Sequence, residues 1–196
     1  MMTKIKVIGH SLGAHVAGFA GKYVQKYLGQ KYPMIIGLDP ATPSFGSRSP
    51  GNRLSRGDAH YLEVFHTSRL GIHAPLGDVD VYYNGGKSQP GCSRILPSCS
   101  HSRSVEYLTS TISNPPCFEA TPWALDSRYV NIHLILSTRF IPVIYSDILI
   151  AYCSNIMNPR SCNSGTCLEP GLSAVAQSGR GTFYVTTTKN APFCTA

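Results

Sequence analysis

The start of the chain places a strand pattern, a glycine-flanked serine and a helix pattern in direct succession. The strand-like residues 5–8 run into residues 9–13, which read Gly-His-Ser-Leu-Gly. A helix is then predicted over residues 12–23, and its many Gly and Ala residues would let it lie very close to a sheet. So sharp a turn strains the backbone of Ser11, and a glycine on either side leaves room for it because glycine lacks Cβ.

The Gly-x-Ser-x-Gly pattern is typical of the nucleophile elbow of a serine ester hydrolase. Such a turn lifts the Ser11 hydroxyl clear of the sheet. It also places the Leu12 N–H at a helix N-terminus, where its positive partial charge can stabilise an oxyanion. The bare pattern is weak evidence, so the strand before it and the helix after it carry most of the weight. The alternative is an ordinary glycine-rich strand-helix turn.

A serine nucleophile needs a histidine base, and that histidine needs a carboxylate. Residues 34–38 read as a buried parallel strand, which Asp39 and Pro40 end because proline cannot donate to a ladder. Asp39 therefore lies at the carboxyl end of a strand, where α/β sites form. One helix and one strand separate it from Ser11, which predicts neighbouring strands. A turn or capping aspartate is an equal alternative on these grounds alone.

The base should follow Asp39 in the chain, as in α/β-hydrolases. Five histidines do so: His60, His66, His73, His101 and His133. The first two lie in a strand-like segment and are expected to be packing or strand-edge residues. His101 follows Cys99, which could close a small loop with Cys92, and it precedes a predicted helix over residues 105–112. A tethered loop could hold an imidazole still, but the residues alone leave the choice open.

Composition limits the partners and the compartment. The 196 residues, 42% of them hydrophobic, suffice for one domain with a sizeable core. The net charge of +7 comes from scattered Lys and Arg, which favours anionic lipid surfaces over nucleic acid. Seven cysteines indicate disulfides and an oxidising compartment.

Neither the first residues nor the most apolar stretch is expected to enter a membrane. The start has no apolar run after its first lysine, so it does not read as a signal peptide. Residues 130–152 are apolar, but Arg139, Pro142 and Asp147 interrupt them, and no uncharged span reaches the roughly 20 residues of a membrane helix. We therefore expect no transmembrane segment.

Taken together, several segments resemble the pancreatic lipase family, especially its insect neutral lipase and phospholipase A1 branch. The matching stretches are residues 7–18, 37–41, 84–86, 89–92 and 99–103, and residues 181–184 look like the family's last strand. The likeness covers about residues 5–123 well. It implies an α/β-hydrolase fold, a mostly parallel sheet flanked by helices. It also implies that Ser11 is the nucleophile, Asp39 the acid and His101 the base.

Departures from the family pattern sharpen these expectations. The family's lid is the loop before the catalytic histidine, and here only six residues separate Cys92 from Cys99. In this family so short a lid goes with phospholipase A1 activity or broad ester hydrolysis. The family's calcium site would fall around residues 50–58, where Pro50 and Ser55 replace carboxylates. Calcium needs several oxygen ligands, so we expect no metal and no other cofactor.

The disulfide candidates are Cys92, Cys99, Cys162 and Cys167.

The resemblance also implies that the chain, residues 1–196, is a partial α/β-hydrolase lipase domain. In the family several strands and the second oxyanion donor precede the elbow, so we expect the N-terminal strands to be missing. The strand before Ser11 would then expose unpaired backbone groups, and the chain alone would be poorly stable and largely inactive. Residues 129–152 form an atypical insertion, either a β-rich core segment or unspliced intron sequence.

The leading hypothesis is a carboxylic ester hydrolase acting on lipids, either a phospholipase A1 or a neutral acylglycerol lipase, through a Ser-His-Asp acyl-enzyme mechanism. Alternatives are a non-catalytic lipid-binding or yolk-type relative, which typically loses the serine, and an inactive fragment. The resemblance implies secretion and a lipid ester substrate at a membrane or lipid-droplet surface. No nucleic-acid partner is expected.

Overall fold

The architecture comes from a computed structural model, which describes residues 4–123, 167–172, 174 and 179–194. Its elements in chain order are β1 (Lys6–His10), α1 (Leu12–Leu28), β2 (Tyr32–Leu38), a short 3-10 helix (Pro50–Asn52), β3 (Ala59–His66), β4 (Val79–Tyr83), α2 (Ser98–Ser113), β5 (Thr121–Pro122) and β6 (Gly181–Val185). The predicted insertion at residues 129–152 and the apolar stretch at 130–152 lie outside the described residues.

Within the described residues, six strands form one sheet in the order β1-β2-β3-β4-β6-β5. All neighbouring pairs from β1 to β6 are parallel, and only β5 runs antiparallel. The helix α1 makes the crossover from β1 to β2, which parallel strands require. The mostly parallel sheet flanked by helices is confirmed, and so is the strand predicted at residues 181–184.

Both faces of the sheet are covered, which explains the nearly continuous apolar runs of its central strands. On one face, strand residues such as Leu38, Phe65 and Val81 pack with Tyr107 of α2. On the other face, Ile35 and Leu62 of the sheet pack with small residues of α1. The two helices therefore lie on opposite sides of the sheet.

The helix α1 is longer than predicted and approaches more than the sheet. It continues to Leu28 and ends at Gly29, whose φ of 61° is in the left-handed region favoured at helix ends. A Cβ added to Gly21 would lie 2.2 Å from the Asp58 carbonyl oxygen. The small residues of this helix thus allow both the sheet and the loop before β3 to pack closely against it.

An apolar surface remains at the β1 edge of the sheet. Within the described residues no strand pairs with the outer side of β1, and Ile8 on that strand is 46% exposed. Helix α1 also exposes Val16, Tyr23 and Tyr27. The described helices include none long and apolar enough to cross a membrane.

Two disulfides join described residues. The predicted link between Cys92 and Cys99 is present. The sequence did not indicate the second, between Cys117 and Cys194, which ties the segment after α2 to the end of the chain. Cys167 is also disulfide-bonded, whereas Cys162 lies outside the described residues.

Removing the Cys117–Cys194 disulfide is expected to destabilise the fold more than removing Cys92–Cys99. It closes a loop with a sequence separation of 77 residues, against 7 for the other. The entropy of the unfolded chain then predicts losses of about 4.5 and about 2.5 kcal/mol respectively. Denaturant unfolding of the two double Cys→Ala variants measures both. Equal losses would contradict the loop-length argument.

Glu63 is a fully buried carboxyl group in the middle of β3. Its only hydrogen bonds among the described residues are with the Gly171 N–H, 3.2 Å from each carboxyl oxygen. Burial raises the pKa of Glu63 to about 8, and the Gly171 hydrogen bond only partly opposes this shift. The neutral acid is therefore the form that suits the folded protein at neutral pH.

Stability is expected to fall as the pH rises from about 4.5 to about 8, because unfolded Glu63 ionises over this window while folded Glu63 keeps its proton. Below this window the protonated form is favoured in both states, so the contribution of Glu63 is fully present. In Glu63→Gln a neutral amide replaces the acid, and this part of the pH dependence should disappear. Unfolding free energies at pH 5 and pH 8 for both proteins provide the measurement. Identical pH dependence in the two would refute the role of Glu63.

Candidate active site

The turn between β1 and α1 has the strained geometry of an elbow. Ser11 has φ 58° and ψ −123°, and its N–H donates to the Leu38 carbonyl at 2.9 Å. It is the N-cap of α1, yet its side chain makes no capping hydrogen bond. The hydroxyl is thus not occupied by the helix that it precedes.

The two glycines that flank this serine differ in what they do. A Cβ on Gly9 would lie 2.2 Å from the Gly13 carbonyl oxygen, so the turn requires glycine there. Apart from its chain neighbours and the backbone of its own helix, a Cβ on Gly13 would meet no atom of the described residues within 4 Å. The expectation that both glycines make room is therefore correct for Gly9 and wrong for Gly13.

The predicted acid, Asp39, follows β2 and is completely buried. One carboxylate oxygen, Oδ1, accepts the backbone N–H groups of Thr67 and Ser68 at 2.8 and 3.1 Å. The other, Oδ2, lies 2.6 Å from Nδ1 of His101 and also accepts the Ser68 hydroxyl. The carboxylate thus has four polar contacts, and β1 and β2 are neighbours as predicted.

His101 lies inside a helix and not on the loop that the sequence indicated. The helix α2 begins at Ser98, seven residues earlier than predicted, so His101 is in its first turn. Pro97 supplies a backbone already in the helical range, with φ −75° and ψ −9°. This first turn is polar, which is why a hydrophobic pattern detected only the part from Val105 onward. The backbone hydrogen bonds of α2 fix the backbone that carries the His101 imidazole, and the Cys92–Cys99 disulfide anchors the start of this helix.

His10, beside the serine in the elbow, packs on His101. Their ring centroids are 4.5 Å apart, and His10 Nε2 lies 3.3 Å from the His101 carbonyl oxygen. Partial burial lowers the pKa of His10, and a positive charge on His101 lowers it further. No role was predicted for His10 from the sequence, although its position in the Gly-x-Ser-x-Gly pattern could have suggested one.

The three predicted residues are brought to one edge of the sheet, but not all of them are in contact. Asp39 and His101 form the pair described above, whereas no hydrogen bond of the described residues involves the Ser11 hydroxyl. Hydrogen bonds to a nucleophile are often long without substrate, so this leaves Ser11 as a prediction. Leu12 is the first residue of α1, and N–H groups in a first turn have no acceptor within their helix.

Two of the other candidate bases, His60 and His66, lie on β3 and make no hydrogen bond with the Asp39–His101 pair among the described residues. His60 is exposed on β3, and His66 is buried on the same strand with its Nε2 2.8 Å from Asp80. The Asp80 carboxylate also accepts the N–H groups of Leu76 and Gly77, so this second histidine-aspartate pair fastens the loop before β4. A packing role for His66 is confirmed. His133 lies outside the described residues.

Gln89 joins the loop after β3, which contacts the Asp39 carboxylate, to the helix of His101. Its buried amide donates to the carbonyl oxygens of Thr67 and Tyr83 at 2.8 and 2.7 Å. Its amide oxygen accepts the Tyr107 hydroxyl of α2 at 2.9 Å, and its own N–H donates to Ser100. No sequence pattern indicates this linking role, because the partners are distant in the chain.

The loop at residues 50–58, expected to lack a calcium site, contacts a lysine ammonium group of α1. Lys22 Nζ lies 2.6 Å from both carboxylate oxygens of Asp58 and 2.8 Å from the Arg53 carbonyl oxygen. The amino group thus faces oxygen atoms of the kind that bind cations. In the part of the chain that the structure describes, no three His, Cys, Asp or Glu residues group as metal ligands would.

Comparison with known proteins now identifies the family. A protein-family model described as Lipase matches residues 2–131, more than half of the chain. The chain belongs to the lipase family. This lipase-family chain is 43% identical over 194 residues to Phospholipase A1 2 of Polistes dominula, an alignment that covers 98% of the chain and 52% of the relative. It is 41% identical over 195 residues to Phospholipase A1 of Polybia paulista, with the same coverage.

A third relative, Phospholipase A1 of Vespula squamosa, is 41% identical over 197 residues. The chain spans about half the length of the curated relatives it matches. These alignments cover 98% of the lipase-family chain, so the likeness extends well beyond residues 5–123, where the sequence motifs had placed it.

Proposed function

We propose that this lipase-family chain carries the reaction centre of a phospholipase A1, a carboxylic ester hydrolase acting on lipids, with Ser11, Asp39 and His101 as its catalytic residues. The observation that carries the proposal is the buried Asp39 carboxylate, 2.6 Å from His101 Nδ1, beside an elbow with a positive-φ serine. The relatives are named as phospholipases A1, which favours phospholipids over neutral acylglycerols.

In the proposed reaction Asp39 keeps the proton of His101 on Nδ1, which leaves Nε2 free to take the Ser11 proton. Ser11 Oγ then attacks the ester carbonyl carbon, and the Leu12 N–H donates to the resulting oxyanion. The intermediate collapses with cleavage of the ester C–O bond, and His101 returns the proton to the departing alcohol. A water molecule, deprotonated by His101, then releases the fatty acid from the acyl-enzyme.

Action at a membrane or lipid-droplet surface is the natural setting for this reaction. The loop closed by Cys92–Cys99 precedes the helix of His101, and its Ile95 and Leu96 are 88% and 64% exposed. Exposed apolar side chains of this kind can enter a lipid surface, and the net charge of +7 favours an anionic one. The disulfides suit secretion into an oxidising extracellular space.

The test combines an active-site probe with two lipid substrates. A fluorophosphonate should label Ser11, located by peptide mass spectrometry. Vesicles of phosphatidylcholine with different acyl chains at the two glycerol positions should release the chain from the first position, and faster than triacylglycerol releases its own. Vesicle binding without labelling or hydrolysis would indicate a non-catalytic lipid-binding protein, and no binding, labelling or hydrolysis would indicate an inactive fragment. Either result would overturn the proposal.

A further inference from the structure

Ser68 lies two residues beyond the end of β3, with only 2% of its surface exposed. Its hydroxyl oxygen has three polar neighbours. It contacts Oδ2 of Asp39, it lies 3.0 Å from the Leu70 backbone nitrogen, and it lies 3.5 Å from Nδ1 of His101. The side chain thus touches both partners of the acid-base pair from the buried side.

The chemistry of these neighbours determines where the hydroxyl proton points. The Leu70 N–H can only donate, so it occupies a lone pair of Ser68 Oγ. His101 Nδ1 must carry a proton to bond with the Asp39 carboxylate, so it cannot accept one from Ser68. The remaining partner is Asp39 Oδ2, and Ser68 therefore donates its proton to that oxygen.

This donation completes the coordination of the carboxylate. A carboxylate group offers about four lone-pair directions. Two backbone N–H groups contact Oδ1, while the Ser68 hydroxyl and His101 Nδ1 contact Oδ2. Rotation of the Asp39 carboxylate would break these bonds in a place that water does not reach, since Asp39 is 0% exposed.

We propose that Ser68 is a positioning residue, whose hydroxyl fixes the orientation of the Asp39 carboxylate and shares its negative charge with His101. This inference rests on the proposed function of the Ser11, Asp39 and His101 residues. Ser68 touches neither substrate nor the reacting atoms, and it acts only through the acid. Without its hydroxyl, one lone pair of Oδ2 lacks a donor, and more of the negative charge is left to stabilise protonated His101.

The variant Ser68→Ala is expected to lower kcat by about 10- to 100-fold, the usual cost of a hydrogen bond to a charged group, with little change in KM. The pH at which His101 titrates, followed by NMR, should move upward relative to wild type. Among the described residues, the titratable groups seen against His101 are Asp39 from the end of β2 and His10 from β1, and the variant retains both.

Ser110→Ala is the matched control. It also deletes a buried serine hydroxyl, which donates to the Glu106 carbonyl oxygen at 3.0 Å within α2. We expect it to leave both kcat and the titration of His101 unchanged. Ser68→Cys provides a second variant of similar size, whose weaker S–H donor should give an intermediate shift.

An unchanged or lowered titration pH of His101 in both Ser68 variants would overturn the proposal, as would a shift of equal size in Ser110→Ala. This NMR readout needs no turnover and so separates two kinds of failure. A wild-type protein that hydrolyses no ester contradicts the proposed function, while the His101 shift still decides whether Ser68 positions the acid-base pair.

Discussion

Replacing Ser11 with alanine is expected to lower kcat for lipid ester hydrolysis by about 10⁶-fold, the loss seen when a serine hydrolase loses its nucleophile. The fold should be unaffected, because the Ser11 side chain makes no capping hydrogen bond and its backbone contact with Leu38 does not depend on the hydroxyl. The rate of fatty acid release and the melting temperature, measured side by side, provide the check. Substantial turnover by a fully folded Ser11→Ala variant would show that another residue attacks the ester.

Asp39→Asn is expected to lower kcat by about 10⁴-fold while preserving the shape of the site. The asparagine amide nitrogen must replace either Oδ1, which faces two backbone N–H donors, or Oδ2, which faces His101. In the second position it donates to Nδ1, so the His101 proton moves to Nε2, and the imidazole can no longer accept the proton of Ser11. In the first position the amide nitrogen, itself a donor, faces the two backbone N–H donors of the loop after β3, so no hydrogen bond can form between them.

Asp78→Asn is the control for this variant. The Asp78 carboxylate also accepts a backbone N–H, that of Leu62 at 2.9 Å, and pairs with Arg56, but it has no contact with His101. It should retain wild-type kcat. If Asp39→Asn hydrolyses lipid as fast as Asp78→Asn does, the carboxylate of Asp39 does not orient the base.

The sequence predicted those parts of the site that depend on local chemistry. The elbow at Ser11 follows from a strand pattern, two glycines and a helix pattern, all contiguous, and the position of Asp39 at a strand end follows from the proline after it. These signals lie within the segment that they describe. No signal near His101 in the chain distinguishes it from the other candidate histidines, and only the family resemblance selected it as the base.

The features that the sequence missed come from contacts between distant segments. The disulfide between Cys117 and Cys194 and the bond from Glu63 to Gly171 each join residues far apart in the chain. Ser68 is an ordinary polar residue in a loop until the fold brings Asp39 beside it. The start of α2 was missed for a different reason, because a polar first turn has no hydrophobic period to detect.

The amide of Gln89 has a consequence for how a bulky lipid can reach the serine. It hydrogen-bonds both Thr67, in the loop after β3 that contacts the Asp39 carboxylate, and Tyr107 of α2, so these two segments are tied together. The exposed apolar side chains of the Cys92–Cys99 loop and of α1 take no part in these hydrogen bonds. A lipid that contacts those side chains would therefore leave the hydrogen bonds around Gln89 intact.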